Sequence, residues 1–226
     1  MTEAVAPSEG RGVVHLFAKP TATFDQAAAI AAIEKAQADD VQVVTVSMLG
    51  HKADVAIMAM HPDWWALRKL QSAISAAGLD IVDSYVSLTE ISEYAAGVPE
   101  EMRNMRLYPD LTEAHEDKPA WCFYPMSKKR EGHANWFELP FDERMELMYG
   151  HGKSGRAFKG RILQVITGST GIDDWEWGVT LFGQHHDDLK DCVYTMRFDE
   201  ASSVYAEFGP FYTGIAATPT EVFGAL

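Results

Sequence analysis

Cysteine is nearly missing from this 226-residue chain. Only Cys122 and Cys192 occur, with no Cys-x-x-Cys and no paired spacing. That excludes a disulfide framework and reads as two buried free thiols. Long apolar runs are missing too: the longest, such as Val55–Met60, fall far short of a bilayer-spanning helix. The first residues, MTEAVAPSEGRG, carry neither a basic start nor an apolar segment. No secretory leader is expected, and the cytoplasm is the expected compartment. Positive charge is scarce, with 19 Lys and Arg against 33 Asp and Glu and a formal net charge of −14. A general nucleic-acid binder needs a basic surface to displace counterions from phosphate, so that class is excluded. Zinc spacing is also lacking, since the 8 histidines include no His-x-x-x-His and no His-Glu-x-x-His.

What is present is a chain that can build a core: 47% of residues are apolar and 11% aromatic. The period of apolar residues predicts a strand at Val13–Ala18, a helix at Phe24–Ala36 after a Thr23 cap, and a hairpin from Val41–Met48 and Ala53–Met60. A helix at Asp63–Ala76 follows, with Trp65, Leu67, Leu70 and Ile74 on its apolar side, and then a strand at Ile81–Leu88. Residues 90–118 read as a long loop, rich in proline and charge. The same order then recurs: strand Ala120–Met126, helix Phe141–Tyr149 stopped by Gly150 and Gly152, hairpin Ile162–Thr167 with Trp175–Phe182, helix Asp187–Met196, strand Tyr205–Gly214. The pattern predicts an α+β fold of two ferredoxin-like β-α-β-β-α-β units packed as a pair, their antiparallel sheets forming a barrel-like core. The predicted boundaries are an N-terminal unit at 1–89, a linker at 90–118 and a C-terminal unit at 119–226.

Two phosphate-binding motifs fail on context. Gly150–Gly155 matches G-x-G-x-x-G, but it follows a helical run where a dinucleotide site needs a strand. The Gly152-Lys153-Ser154 run lacks the first glycine of a P-loop, whose place is taken by Leu147. Among the histidines, His15 and His61 are placed at element ends, His51 in a turn, and His185 and His186 at a helix start. His151 lies between two glycines at the expected end of a helix. It reads either as an imidazole interacting with the helix dipole or as a single axial ligand to haem iron.

Five stretches carry a resemblance: Cys122–Arg130 (CFYPMSKKR), Asn135–Pro140 (NWFELP), Gly171–Gly178 (GIDDWEWG), Met196–Glu200 (MRFDE) and Glu207–Tyr212 (EFGPFY). Together they resemble the chlorite-dismutase-like family, and within it the coproheme decarboxylases of the Firmicutes type. The likeness is dense from Cys122 to Gly214 and sparse before, where Gly50–Val55 (GHKADV) is the best match. The resemblance implies paired ferredoxin-like domains with porphyrin in the C-terminal one, and a homopentamer. The implied reaction uses hydrogen peroxide to decarboxylate two propionates of iron coproporphyrin III (coproheme), giving haem b. It also implies the upstream coproporphyrin ferrochelatase as a partner.

By the same resemblance, His151 is the iron ligand, Tyr124 the radical-bearing tyrosine and Lys128 a propionate-holding cation. Met126 packs against the ring edge, Trp136 lies near the porphyrin, and Ser202 hydrogen-bonds a propionate. Glu200 is the expected partner of His151, with Glu207 as the alternative. Trp175 and Trp177 are expected to serve packing or an interface. Gln164 stands thirteen residues after His151, where true chlorite dismutases carry a distal arginine. It cannot supply that charge, which argues against chlorite conversion. Arg161, at an odd offset, is expected on the opposite strand face. The Firmicutes-type pattern places a propionate-binding arginine where this chain has Asp110, so either Arg103 or Arg106 substitutes from the same loop or the substrate is held differently. A chlorite dismutase or peroxidase of the same fold and a haem binder without chemistry are the alternatives.

Overall fold

The computed structural model describes residues 3–95, 97–111 and 114–226, so positions 96, 112 and 113 of the 90–118 stretch lie outside the description. The first half runs β1 (Gly12–Pro20), α1 (Gln26–Ala38), β2 (Gln42–Leu49), β3 (Val55–His61), α2 (Trp64–Ala76) and β4 (Leu79–Thr89). Both helices open on a carboxylate that accepts a backbone N–H: Asp25 from Ala28 and Asp63 from Trp65. Asp25, not Thr23, is therefore the first cap. On α2, Leu67, Leu70 and Ile74 are buried as predicted, whereas Trp65 is 42% exposed.

The connection contains two helices, α3 (Glu100–Leu107) and α4 (Ala114–Asp117), where the proline and charge content predicted loop. Pro99 opens α3, with Glu100 and Glu101 in its first turn and Arg106 in its last, which complements the helix dipole at both ends.

The second half runs β5 (Ala120–Lys128), the short ribbon β6 (Arg130–Glu131) and β7 (Ala134–Asn135), a 3₁₀ turn at Trp136–Glu138, α5 (Phe141–Arg156), β8 (Ile162–Gly168), β9 (Trp177–Gly183), α6 (His186–Met196), α7 (Glu200–Ser203), β10 (Ala206–Phe208), β11 (Tyr212–Ala217) and α8 (Pro219–Gly224). Two expectations change here. The strand predicted over Tyr205–Gly214 is two strands. β11 pairs with Ala120–Phe123 and β10 with Met126–Lys128, and the break falls opposite Pro125, next to Pro210. Neither proline has an N–H to give to a ladder. Helix α5 also runs seven residues past its predicted end at Tyr149. Gly150 and Gly152 lack the positive φ of a stop signal, and the helix is held against α6 and α7.

Each half orders its strands identically: β2-β3-β1-β4 in the first, β8-β9-β5-β11 in the second. Two seams join the halves. β11 pairs with β2 over Thr213–Ala217, and β4 meets β8 at Leu88–Thr89 alone. The strands thereby close into a ring, with β10 prolonging β11 along β5. The ring interior is filled by Phe17, Met58, Trp121, Phe123 and Phe182. His15, expected at an element end, stands in the middle of β1 and is enclosed by this core, stacked 4.2 Å from Phe123. Outside the ring, α1, α2 and the C-terminal α8 cover the first half. Over the second half, α6 packs on β5 and β9, and α5 packs against α6 and α7. Among the described residues no helix is long and apolar enough to cross a membrane.

Candidate functional site

Strand β5 sorts its side chains by parity. Trp121 and Phe123 point into the ring, while Cys122, Tyr124 and Met126 belong to the outer cluster beneath α6. Because the strand continues to Lys128, that residue shares the outer face, and Tyr124, Met126 and Lys128 stand in one line. Register extends the surface sideways. Cys122 faces Leu181, which faces Gln164; Tyr124 faces Val179, which faces Ile166; Met126 faces Trp177, which faces Gly168. Gln164 is thus on the same sheet face as Tyr124, and it is exposed. Arg161, just before β8, is tied to α6 by a 3.0 Å ion pair with Asp188.

Tyr124 is buried, with its ring stacked 4.5 Å from Phe211 and tilted against Phe208 at 5.8 Å. Burial pushes its phenol well above the ordinary tyrosine value, so it is neutral. Lys128 is 7% exposed. Its Nζ donates to the carbonyl of Ala201 at 2.6 Å and lies 4.1 Å from the ring centre of Trp136. Burial lowers its ammonium to about 8, against the pull of Asp199 and Glu176. Trp136 is itself 2% exposed and packs on Tyr205 and Tyr94.

His151 projects from α5 toward α7. Its Nδ1 lies 3.1 and 3.2 Å from the two carboxylate oxygens of Asp199. That partner is Asp199, not the expected Glu200, which is the first residue of α7 and exposed, nor Glu207, which is exposed on β10. Asp199 is the N-cap of α7, accepting from the Ser202 N–H at 3.0 Å. A carboxylate just before the short helical run EASS is a capping signal, but the adjacent Glu200 carries the same group, so the sequence does not separate the two. Ser202, assigned by resemblance to a propionate, donates its hydroxyl to Asp199 Oδ2 at 3.3 Å, and its oxygen lies 3.3 Å from His151 Nδ1. Burial pushes the Asp199 carboxyl up, but hydrogen bonds from His151 and Ser202 outweigh it and hold it below the ordinary value.

This arrangement fixes chemistry. A carboxylate at Nδ1 requires the proton there, which leaves the Nε2 lone pair for a metal. No cluster of three or more metal-ligating side chains occurs among the described residues, and the donor that this arrangement offers is the His151 imidazole. One imidazole, a redox-capable phenol and an outer face of apolar side chains fit an iron porphyrin, which brings its own four nitrogen ligands.

A family model described as chlorite dismutase matches residues 23–217. A candidate heme-binding protein of Natronomonas pharaonis is 44% identical over 192 residues, covering 78% of this chain and 31% of that protein. The chain therefore spans about a third of the length of the curated relative it matches. Among solved structures, a heme-binding protein from Thermus thermophilus superposes with a TM-score of 0.81 at 31% identity, covering 99% of this chain and 98% of that one. A mutant chlorite dismutase from Candidatus Nitrospira defluvii superposes with a TM-score of 0.75 at 15% identity, covering 97% and 96%. That second likeness is one of fold.

Proposed function

The chain belongs to the chlorite dismutase family, and from that premise we propose that it binds coproheme and decarboxylates two of its propionates with hydrogen peroxide, yielding haem b. The observation that carries this reading is the shared face of Tyr124, Met126 and Lys128, next to a helical layer whose His151 is buttressed at Nδ1 by Asp199. When bound, the iron porphyrin would supply the oxidising power of peroxide.

The protein's part follows from its residues. His151 would hold iron through Nε2, with the Asp199 carboxylate making that imidazole a stronger donor. Tyr124, kept neutral by burial, would give an electron and its proton to the oxidant that peroxide supplies and then take a hydrogen atom from a propionate β-carbon. In the balanced reaction one propionic acid and one peroxide become one vinyl group, one carbon dioxide and two waters. Gln164 offers a neutral hydrogen-bonding group on the sheet face, with none of the fixed charge that would hold chlorite. A homopentamer, and coproheme delivery by the upstream ferrochelatase, belong to the same proposal.

The test is an anaerobic titration of peroxide into the coproheme complex, with products separated by chromatography. Monovinyl and then divinyl products are expected. Bleaching without vinyl products sinks the proposal. Tyr124→Phe is expected to keep coproheme binding and lose the first decarboxylation; unchanged turnover removes Tyr124 from its role.

A further inference from the structure

Propionates need cations, and the position where the resembling family carries an arginine is Asp110 here. The substitutes expected from sequence are poorly placed. Arg106 is exposed on α3. Arg103 lines a cavity of about 570 Å³ together with three carboxylates, Glu9, Glu90 and Glu93.

Arg144 is different. It precedes His151 by seven residues on α5, two helical turns, so both project from one face about 10 Å apart along the axis. That separation is comparable with the reach from the centre of a porphyrin to a rim carboxylate. The guanidinium lies beside a stacked pair of rings, 5.9 Å from the centre of Tyr94 and 5.7 Å from that of Phe141. Tyr94 in turn packs on Trp136, under which Lys128 sits. The Arg144 side chain is 18% exposed, and its Nε is shut off from solvent with no partner. Its one carboxylate contact, Glu93, is held at 3.4 Å from Nη1, and Glu93 is 54% exposed. Charge-assisted bonds are shorter than this, at about 2.7–2.9 Å. A guanidinium with a loose, half-exposed partner and an unused donor is poised to exchange one carboxylate for another.

We propose that Arg144 binds a propionate of the porphyrin by displacing Glu93, supplying the charge that position 110 does not. The assignment rests on the porphyrin reading above and goes beyond it, since it names the residue that selects a carboxylate-rich ring. Nη1, released from Glu93, and Nη2 beside it present two parallel N–H groups, the geometry a carboxylate takes from arginine. The adjacent aromatic pair favours the positive charge there.

The experiment uses metal-free coproporphyrin III and its tetramethyl ester, titrated by fluorescence into the full chain, so that neither iron ligation nor turnover enters. Arg144→Gln is expected to weaken coproporphyrin binding about tenfold, the scale of one charge-assisted hydrogen bond, and to leave ester binding unchanged. Arg144→Lys restores part of the loss, because it returns the charge without the fork. Glu93→Gln removes the competing carboxylate and tightens coproporphyrin binding. Equal losses for acid and ester, no loss in Arg144→Gln, or weaker binding in Glu93→Gln each overturns the proposal. Failure of the unaltered protein to bind coproporphyrin overturns the porphyrin reading with it. Normal binding and turnover with an indifferent Arg144→Gln overturns the arginine assignment alone.

Discussion

Asp199 serves two structures at once, and replacing it separates them. Its carboxylate caps α7 through the Ser202 N–H and holds His151 Nδ1. Asp199→Ala removes both functions. A lost N-cap costs about 1 kcal/mol, and a lost hydrogen bond to a charged group about 1.5–3 kcal/mol. Because one carboxylate makes both contacts, the two losses do not simply add, and the expected destabilisation is about 2–4 kcal/mol. For a chain of this length that is a drop of about 4–16 °C in Tm. Asp199→Asn keeps a good cap and an oxygen toward the imidazole but loses the charge, so about 1 kcal/mol is expected. The pH dependence carries the sign. The Asp199 carboxyl is held below its unfolded value, so its contribution is fully present above the ordinary carboxylate range and fades as pH falls through the lower folded value. Thermal melts of the three proteins from about pH 7 to about pH 3 are the assay. The gap between unaltered protein and Asp199→Asn should stay level through neutral pH and narrow in acid. A gap that stays flat into acid, or an asparagine variant as unstable as the alanine one, refutes the account of Asp199 as a charged brace.

Three further outcomes follow from buried groups and the ring. Burial lowers the Lys128 ammonium from its unfolded value of 10.5 to about 8, so the unfolded chain binds more protons between these values and stability should rise across that window by on the order of 3 kcal/mol; denaturant melts of Lys128→Met should lack the rise. His15, whose imidazole is lowered by burial from 6.5 to about 3, contributes stability that is lost as pH falls from 6.5 toward 3. His15→Gln should flatten the acid limb of the melting curve. Gly214→Ala tests the β2–β11 seam, because a Cβ there would come within 2.4 Å of the Ser47 carbonyl oxygen. Its cost should be at least about 1–3 kcal/mol by chemical denaturation, and a neutral result would contradict the register.

The strands were legible as short apolar runs bounded by turn residues. On β5 the run is continuous because both faces are covered, inner Trp121 and Phe123 by the ring and outer Cys122 and Tyr124 by the helical layer, so the sequence marked the strand but not which residue faces which side. Closure of the ring was foreseen as a barrel-like pair, but its seams were not, since a two-residue contact at Leu88–Thr89 leaves no periodic trace. Helix α5 was cut short because Gly150 and Gly152 read as a stop. Each glycine costs about 1 kcal/mol in a helix, and packing on α6 and α7 overrides that penalty. The same override moved His151 from a helix terminus to a helical interior. Its partner was missed by one residue, because a four-residue helix puts cap and first turn side by side and only the fold shows which carboxylate turns inward. Nothing in the sequence singles out Arg144. Its neighbours Glu93 and Tyr94 arrive from the connection between the halves and cannot be read from α5.

Charge along the chain and charge in space differ for the same reason. Between Lys128 and Arg161 basic residues exceed acidic ones by three. In the fold, Arg130 pairs with Glu176, Arg144 with Glu93 and Arg161 with Asp188, and all three carboxylates come from outside that segment. The excess is thereby cancelled locally, so no broad positive field from this segment is available to draw in an anionic ligand. Exposed charges would in any case be screened beyond about 8 Å at physiological salt. What survives is short-range: two cations with little exposure, Lys128 under Trp136 and Arg144 beside the stacked Tyr94 and Phe141. In such surroundings a carboxylate gains more from one well-placed partner than from several solvated ones. On the proposed reading, selection of propionates would depend on where these two cations point, which the net charge of −14 does not record.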